Sequence, residues 1–113
     1  MSNVENTQQQ MRKGVLEFCI LSIIAQGEVY PSDIISKLKE AKLMVVEGTL
    51  YPLLTRLKNQ GILSYSWKES TSGPPRKYYT LTLIGIDFLS ALRTTWNELV
   101  IAVNTTTLNP KVK

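Results

Sequence analysis

Residues 49–61 carry the side chains best suited to chemistry, in the order Thr-Leu-Tyr-Pro-Leu-Leu-Thr-Arg-Leu-Lys-Asn-Gln-Gly. The leucines recur at the spacing of one helix face: Leu50, Leu53, Leu54 and Leu57. The other faces carry groups that can bind a phosphate or a base edge, none of them acidic: Thr49, Tyr51, Thr55, Arg56, Lys58 and Asn59. Gly61 stands where a helix C-cap is expected. This pattern suits a helix that docks by its leucines and reads nucleic acid, although a solvated surface helix with two basic residues would share it.

The positive charge is concentrated in the middle of the chain. The 113 residues include 13 Lys and Arg against 9 Asp and Glu, a net charge of +4. Residues 37–77 alone hold eight basic and three acidic residues, a net +5. Residues 82–110 hold only Arg93 against Asp87 and Glu98. A concentrated basic region favours a polyanionic partner.

The composition argues against an enzyme or a metal protein. There is no histidine, no Gly-rich phosphate loop and no serine or cysteine with a base partner, so we expect no catalytic residue, metal or cofactor. Cys19 is the single cysteine and lies in an apolar run, which predicts a small buried side chain without a disulfide. No secretion signal and no apolar run approaching 18 residues is present, so we expect a cytoplasmic protein with no membrane partner.

Hydrophobic periodicity predicts three helices in the first half of the chain. Residues 1–8 are polar and aperiodic, which predicts a flexible N-terminal arm. Residues 9–26 form a helix whose apolar face, including Phe18, is wide enough to need cover from its own domain and from a partner subunit. A second helix opens at Pro31, with Ser32 as its expected N-cap.

Pro52 leaves two starting points open for the third helix. If Thr49 is the N-cap, Pro52 lies in the first turn, where proline loses little. If the helix begins at Glu47, one backbone hydrogen bond is missing at Pro52.

The periodicity then changes to that of β-strands. Leu63, Tyr65 and Trp67 alternate with polar residues, and residues 69–75 are rich in Ser, Thr, Gly and Pro, which predicts a loop. Residues 76–81 return as a second strand. The result is a β-hairpin with Arg76 and Lys77 beside its tip.

A final helix is expected over residues 82–104, with Thr82 as its N-cap. Its apolar residues step by three and four along a coiled-coil-like seam: Leu89, Leu92, Trp96, Leu99 and Val103. About two heptads are too short to be stable alone in water, so this helix should pack on the first one. Residues 105–113 are expected to form a disordered tail.

Three helices followed by a hairpin predict an α+β, mainly α, fold: a winged helix-turn-helix over residues 9–81 with a C-terminal dimerisation helix. In this fold the third helix enters the DNA major groove and the hairpin contacts the backbone or minor groove. Alternatives stay open for single residues. Arg56 could pair with an acid on its own surface, Tyr51 could be a packing residue, and Arg76 with Lys77 could be solvated. A winged-helix protein-interaction module without sequence-specific DNA binding is the alternative for the whole domain.

Several motifs in order resemble the PadR-type transcriptional regulators. They are Leu16-Glu17-Phe18-Cys19-Ile20-Leu21, Thr49-Leu50-Tyr51-Pro52-Leu53-Leu54, Arg56-Leu57, Gly61-Ile62-Leu63, Gly73-Pro74-Pro75-Arg76-Lys77-Tyr78-Tyr79 and Leu81-Thr82. The resemblance covers roughly residues 11–104. The sequence departs from the family at Val29-Tyr30-Pro31-Ser32-Asp33, where a Tyr-Gly-Tyr-Glu type sequence is usual.

The resemblance implies a homodimer, usually a repressor, that binds a palindromic DNA operator. In the short members a single C-terminal helix forms the dimer interface with the first helix. Multidrug-sensing members carry a tryptophan on that helix, and the tryptophans of the two subunits sandwich flat aromatic ligands at the dimer centre. The position of Trp96 is compatible with this. Trp96 could equally fill the dimer core, so a small aromatic effector remains an expectation.

Overall fold

Four helices and one antiparallel hairpin follow each other in the computed structural model, which describes residues 3–70 and 73–108. They are α1 (Asn3–Ile24), α2 (Pro31–Glu40), α3 (Glu47–Asn59), β1 (Leu63–Ser70), β2 (Gly73–Leu81) and α4 (Leu83–Thr107). This is the winged helix-turn-helix with a C-terminal helix that the sequence predicts. Within the described ranges, no helix is long and apolar enough to cross a membrane.

The hydrophobic core lies between the apolar faces of α1, α2, α3 and the base of the hairpin. The leucine face of α3 is confirmed, since Leu50, Leu54 and Leu57 are fully buried. The other core members are Ile20, Leu21, Ile23, Ile24, Val29, Ile34, Leu38, Ile62, Leu63 and Tyr79. Helix α4 adds partly buried side chains at the edge of this core, Phe88, Leu89 and Leu92. The burial of one face of α3 turns its polar faces outward.

Helix α1 begins earlier than the sequence suggests, because residues 3–8 are helical and do not form a flexible arm. Glu5 and Gln8 have good helix propensity, and the Thr7 hydroxyl donates a hydrogen bond to the Asn3 carbonyl at 3.1 Å. Only the C-terminal half is covered, and Met11 is exposed. Cys19 packs against the core, and burial raises the pKa of its thiol.

The N-termini of α2 and α3 also differ from expectation. Tyr30, not Ser32, is the N-cap of α2, because Pro31 fits the first helical position and the Asp33 carboxylate accepts a hydrogen bond from the Tyr30 amide at 3.2 Å. Helix α3 begins at Glu47, the second of the two starting points. Pro52 therefore lies inside the helix.

The end of α3 is fixed by Gly61, which has a φ of 79°. The Ile62 amide donates to the Leu57 carbonyl and the Gly61 amide donates to the Lys58 carbonyl, both at 3.0 Å. These two hydrogen bonds form a Schellman motif, which needs a left-handed residue at the position of Gly61. The chain turns sharply here and enters β1.

The hairpin strands are longer than predicted, because the expected loop over residues 69–75 is mostly strand. Residues 71 and 72 lie outside the described part of the chain. The pairing shifts between Lys68 and Ser70, so β2 has one extra residue in the stretch that contains Pro74 and Pro75. Prolines are tolerated at such a bulge, since they cannot donate to the hydrogen-bond ladder. The two prolines led to the prediction of a loop, whereas the structure has a bulged strand here.

Thr82 caps α4, as predicted, and also joins it to the end of α3. The Gly85 amide donates to the Thr82 hydroxyl oxygen at 2.9 Å, and that hydroxyl donates to the Gly61 carbonyl at 2.6 Å. The Thr82 amide donates to the Ile62 carbonyl at 3.1 Å. Helix α4 continues to Thr107, so residues 105–107 are helical rather than part of a tail, and residues 109–113 lie outside the described part.

We expect Gly85→Ala to destabilise the fold strongly. A Cβ at Gly85 would lie 2.1 Å from the Ile62 carbonyl oxygen, so α4 would have to move away from the start of β1. The expected loss in the free energy of unfolding is about 1–3 kcal/mol, which urea denaturation would measure. Gly14→Ala is the matched control, because Gly14 lies in α1 with open space around it. It should stabilise by about 0.5–1 kcal/mol, and an equal response of the two variants would contradict the close contact.

Candidate nucleic-acid interface

The outward surface of α3 brings together the six polar residues that the sequence analysis places on its outer faces. All are exposed: Thr49, Tyr51, Thr55, Arg56, Lys58 and Asn59. A shallow concave surface runs along the helix and is lined by Tyr51, Pro52, Thr55, Arg56, Asn59 and Gln60. Hydroxyl, amide and guanidinium groups exposed along one helix suit contacts to both phosphates and base edges.

Arg56 makes an ion pair with Glu17 of α1 and a weaker hydrogen bond to Gln60 of its own helix, at 3.4 Å. The pairing with an acid, which the sequence left as an alternative, is therefore present in this structure. Both side chains of the ion pair are partly exposed, so solvent screens the attraction. The guanidinium stays at the protein surface, where a stronger anion can compete with Glu17 for it.

One face of the hairpin, which we name the inner wing face, consists of Tyr65, Trp67 and Lys77. The Lys77 ammonium lies 4.5 Å from the centroid of the Tyr65 ring and 5.4 Å from that of Trp67. The Lys58 ammonium of α3 lies 5.7 Å from the same Tyr65 ring. Two cations from different elements therefore share one aromatic ring through cation–π contacts. Tyr65 makes α3 and the inner wing face one continuous cationic surface.

The opposite face of the hairpin, the outer wing face, consists of Lys68, Arg76 and Tyr78. The Arg76 guanidinium lies 4.7 Å from the centroid of the Tyr30 ring, and Lys68 pairs with Glu28. Both partners belong to the segment between α1 and α2. Arg76 and Lys77 are neighbours in sequence but point to opposite faces, because side chains alternate along a strand.

Tyr79 is buried where α3 meets the hairpin, with its ring centroid 5.7 Å from that of Tyr65. Burial, and then the nearby Tyr65 and Tyr51, raise the pKa of Tyr79 above its usual value. Its backbone also pairs with Val29, with the Tyr79 amide donating to the Val29 carbonyl at 2.7 Å. This pairing fixes the base of the hairpin against the helical core.

The structure places the DNA-binding residues selected from the sequence in two groups. The α3 residues and Lys77 share one surface, while Arg76 lies on the outer wing face. Three residues that the sequence analysis did not select also belong to the site: Glu17, Tyr65 and Trp67. The strand alternation already placed Tyr65 and Trp67 on one face, but nothing in the sequence paired Glu17 with a residue 39 positions away.

The seam residues of α4 divide into two parts. Leu89 and Leu92 pack against the core of their own domain. Trp96 lies next to Phe18 of α1, with ring centroids 6.4 Å apart, and is 38% exposed. Leu99 and Val103, one and two turns further on, are 47% and 52% exposed. The C-terminal half of α4 therefore presents an apolar surface that the described part of this chain does not cover.

An exposed helix with an adjoining cationic hairpin face defines the chain as a winged-helix DNA-binding protein. Residues 20–91 match the model of the transcriptional regulator PadR-like family, and the chain belongs to this family. It is therefore a DNA-binding transcriptional regulator and not an enzyme.

Solved structures agree with this assignment. A PadR-like transcription factor from Bacteroides fragilis is 60% identical, with a TM-score of 0.75 over 90% of this chain and 99% of that one. A PadR-like regulator from Bacillus cereus is 40% identical, with a TM-score of 0.78 over 88% and 98%. PadR of Bacillus subtilis, in complex with operator DNA, is 28% identical, with a TM-score of 0.64 over 69% of this chain and 46% of that one.

Proposed function

We propose that this protein is a homodimeric repressor that binds a palindromic operator through α3 and the hairpin. The observation that carries the proposal is the continuous cationic surface in which Lys58 and Lys77 share the Tyr65 ring. The operator complex of the Bacillus subtilis relative supports double-stranded DNA as the partner. A bound dimer would repress by occupying promoter DNA, which is the usual mode that the family resemblance implies.

In this proposal α3 lies in the major groove and the hairpin lies beside it. Thr49, Tyr51 and Thr55 contact base edges or phosphate oxygens, since their hydroxyls donate and accept hydrogen bonds. Arg56 and Lys58 bind phosphates. Arg76 and Lys77, on opposite wing faces, each reach a different strand at the edge of the minor groove.

Binding requires Arg56 to exchange Glu17 for a phosphate. A surface ion pair of this kind contributes only about 0–1 kcal/mol, so its loss costs little. A guanidinium–phosphate contact can be bidentate, and it also releases condensed counterions from DNA. The exchange therefore favours the complex at low salt.

We expect Arg56→Gln and Lys77→Gln each to weaken operator binding and to lower the salt dependence. Each variant should reduce the slope of log K against log salt by about one, since one phosphate contact is lost. The measurement is a fluorescence-anisotropy titration of DNA from the protein's own upstream region across a salt series. Lys39→Gln removes one positive charge from the exposed side of α2, outside the proposed surface, and serves as control.

Unchanged affinity and slope in both site variants would contradict docking through this surface. Weak binding by the parent protein that ignores DNA sequence would favour the alternative reading, a winged-helix module that binds other proteins. A scrambled fragment of equal length separates these outcomes.

The dimer proposal rests on the uncovered apolar surface of α4. The chain has a radius of gyration of 16.7 Å, against about 13 Å for a compact domain of this length. Trp96, Leu99 and Val103 lie on one face of α4, because they are spaced by three and four residues. The exposed N-terminal half of α1 adds Met11. A second copy of α4 and α1 would bury this surface and set two α3 helices about 34 Å apart, one turn of DNA.

We expect Leu99→Asp to dissociate the dimer, because it would bury a carboxylate in the apolar interface. Sedimentation equilibrium would show the dissociation constant rising by on the order of a hundredfold, as for an unpaired buried charge. Ile101→Asp is the control, since Ile101 is 67% exposed but lies on another side of α4. Equal dissociation of the two variants, or of neither, would count against this interface.

A planar aromatic effector is proposed to bind at Trp96. Support comes from the partly exposed indole and from a series of contacts that connects it to Arg56 on α3. Trp96 lies against Phe18 of α1. Glu17, which precedes Phe18, pairs with Arg56. A ligand that moves Phe18 would therefore alter the position of Arg56. It can release DNA only if it binds the two arrangements with different affinity.

Proflavine, a planar tricyclic dye, should quench the fluorescence of Trp96 saturably. The quenching should be lost in Trp96→Ala and kept in the control Ile101→Ala. If the dye leaves the emission unchanged, or quenches Trp96→Ala equally well, then Trp96 fills the dimer core and does not line a ligand site.

A further inference from the structure

Trp67 is an exposed indole held in a fixed position on the inner wing face. It is 60% exposed, although Tyr65 and Tyr79 on the same face pack into or against the core. The Tyr65 ring meets it edge-on, with centroids 6.2 Å apart and an interplanar angle of 88°. The Lys77 ammonium lies on its ring at 5.4 Å. Two neighbours therefore restrain the indole and leave most of its surface open.

The position of Trp67 points to a partner on the side of α3. Trp67 pairs with Lys77 across the hairpin and precedes the bulge, so it is near the outer end of the regular ladder. Tyr65 separates it from Lys58 on α3. A single exposed apolar side chain is common on protein surfaces. This one contacts the Lys77 ammonium, on a surface that also carries Lys58 and is already suited to phosphates.

We propose that Trp67 packs against the sugar-phosphate backbone of DNA at the edge of the minor groove, next to the major groove that α3 occupies. This inference rests on the proposed function and adds a neutral aromatic contact to the basic residues. The indole offers an apolar face for a deoxyribose and one N–H donor for a phosphate oxygen. Lys77, which the closer Tyr65 ring holds at 4.5 Å, neutralises the adjoining phosphate. Tyr65 acts as a positioning residue for both.

The chemistry of this contact separates it from the basic ones. A lysine contributes mainly through charge, so its removal lowers the salt dependence of binding. An indole is neutral, so its removal lowers affinity and leaves the salt slope unchanged. Phenylalanine keeps the apolar ring and lacks the N–H, which separates packing from hydrogen bonding.

The test compares Trp67→Ala, Trp67→Phe and Ser66→Ala in operator titrations with the full chain. Trp67→Ala should lose on the order of tenfold in affinity, the lower end of the range for an aromatic side chain stacked on a base. Its salt slope should equal that of the parent, and Trp67→Phe should retain most of the affinity. Ser66→Ala is the control, because Ser66 is exposed on the same strand and points to the outer wing face.

Hydroxyl-radical footprinting locates the contact. Trp67→Ala should lose protection at sugars beside each half-site and keep protection within it. Affinity within twofold of the parent together with an unchanged footprint would overturn the Trp67 contact alone. Failure of the parent to select the operator over scrambled DNA would overturn the proposed function, and this inference with it. Thermal unfolding of Trp67→Ala should match that of the parent, and a large loss of stability would assign Trp67 to the core instead.

Discussion

Backbone hydrogen bonds and one close helix approach hold α3, the hairpin and α4 together at a single junction. Gly61 ends α3 in a left-handed conformation, and the carbonyls of Gly61 and Ile62 both accept hydrogen bonds from Thr82. The hydroxyl of Thr82 in turn caps α4, and Gly85 lets that helix approach the Ile62 carbonyl. Two short segments, residues 61–62 and 82–85, thus fix the end of α3, the start of β1, the end of β2 and the start of α4. These elements cannot change their relative positions independently.

The surface built on this junction is organised by shared partners more than by the number of its charges. Lys58 and Lys77 come from different elements and meet at Tyr65, so the cations are spaced by an aromatic ring that does not neutralise them. Arg56 is held instead by Glu17, an acid that must compete with any phosphate. Lys58 and Lys77 can therefore bind an anion directly, whereas Arg56 must first leave Glu17. Through Glu17, α1 has a direct electrostatic contact with the exposed surface of α3.

Helix α4 has two environments along its length. Its first half packs on the core through Phe88, Leu89 and Leu92, and so orients the helix relative to α1. Its second half keeps apolar residues that no described part of the same chain covers. Trp96 stands at the border, in contact with Phe18. On the proposed dimer, this border lies between the subunit interface and the contacts that lead to α3.

Local sequence patterns were enough to predict the element order, the leucine face of α3, the Thr82 cap and the Gly61 turn, because each depends on residues close together in the chain. It was wrong about the first and last turns of the long helices and about the loop over residues 69–75, where neighbouring structure overrode weak local signals. The sequence did not predict that Arg56 pairs with Glu17, that Lys77 and not Arg76 lies on the side of α3, or that Trp67 remains exposed. These properties depend on contacts between elements distant in sequence, and periodicity carries no information about which distant groups meet.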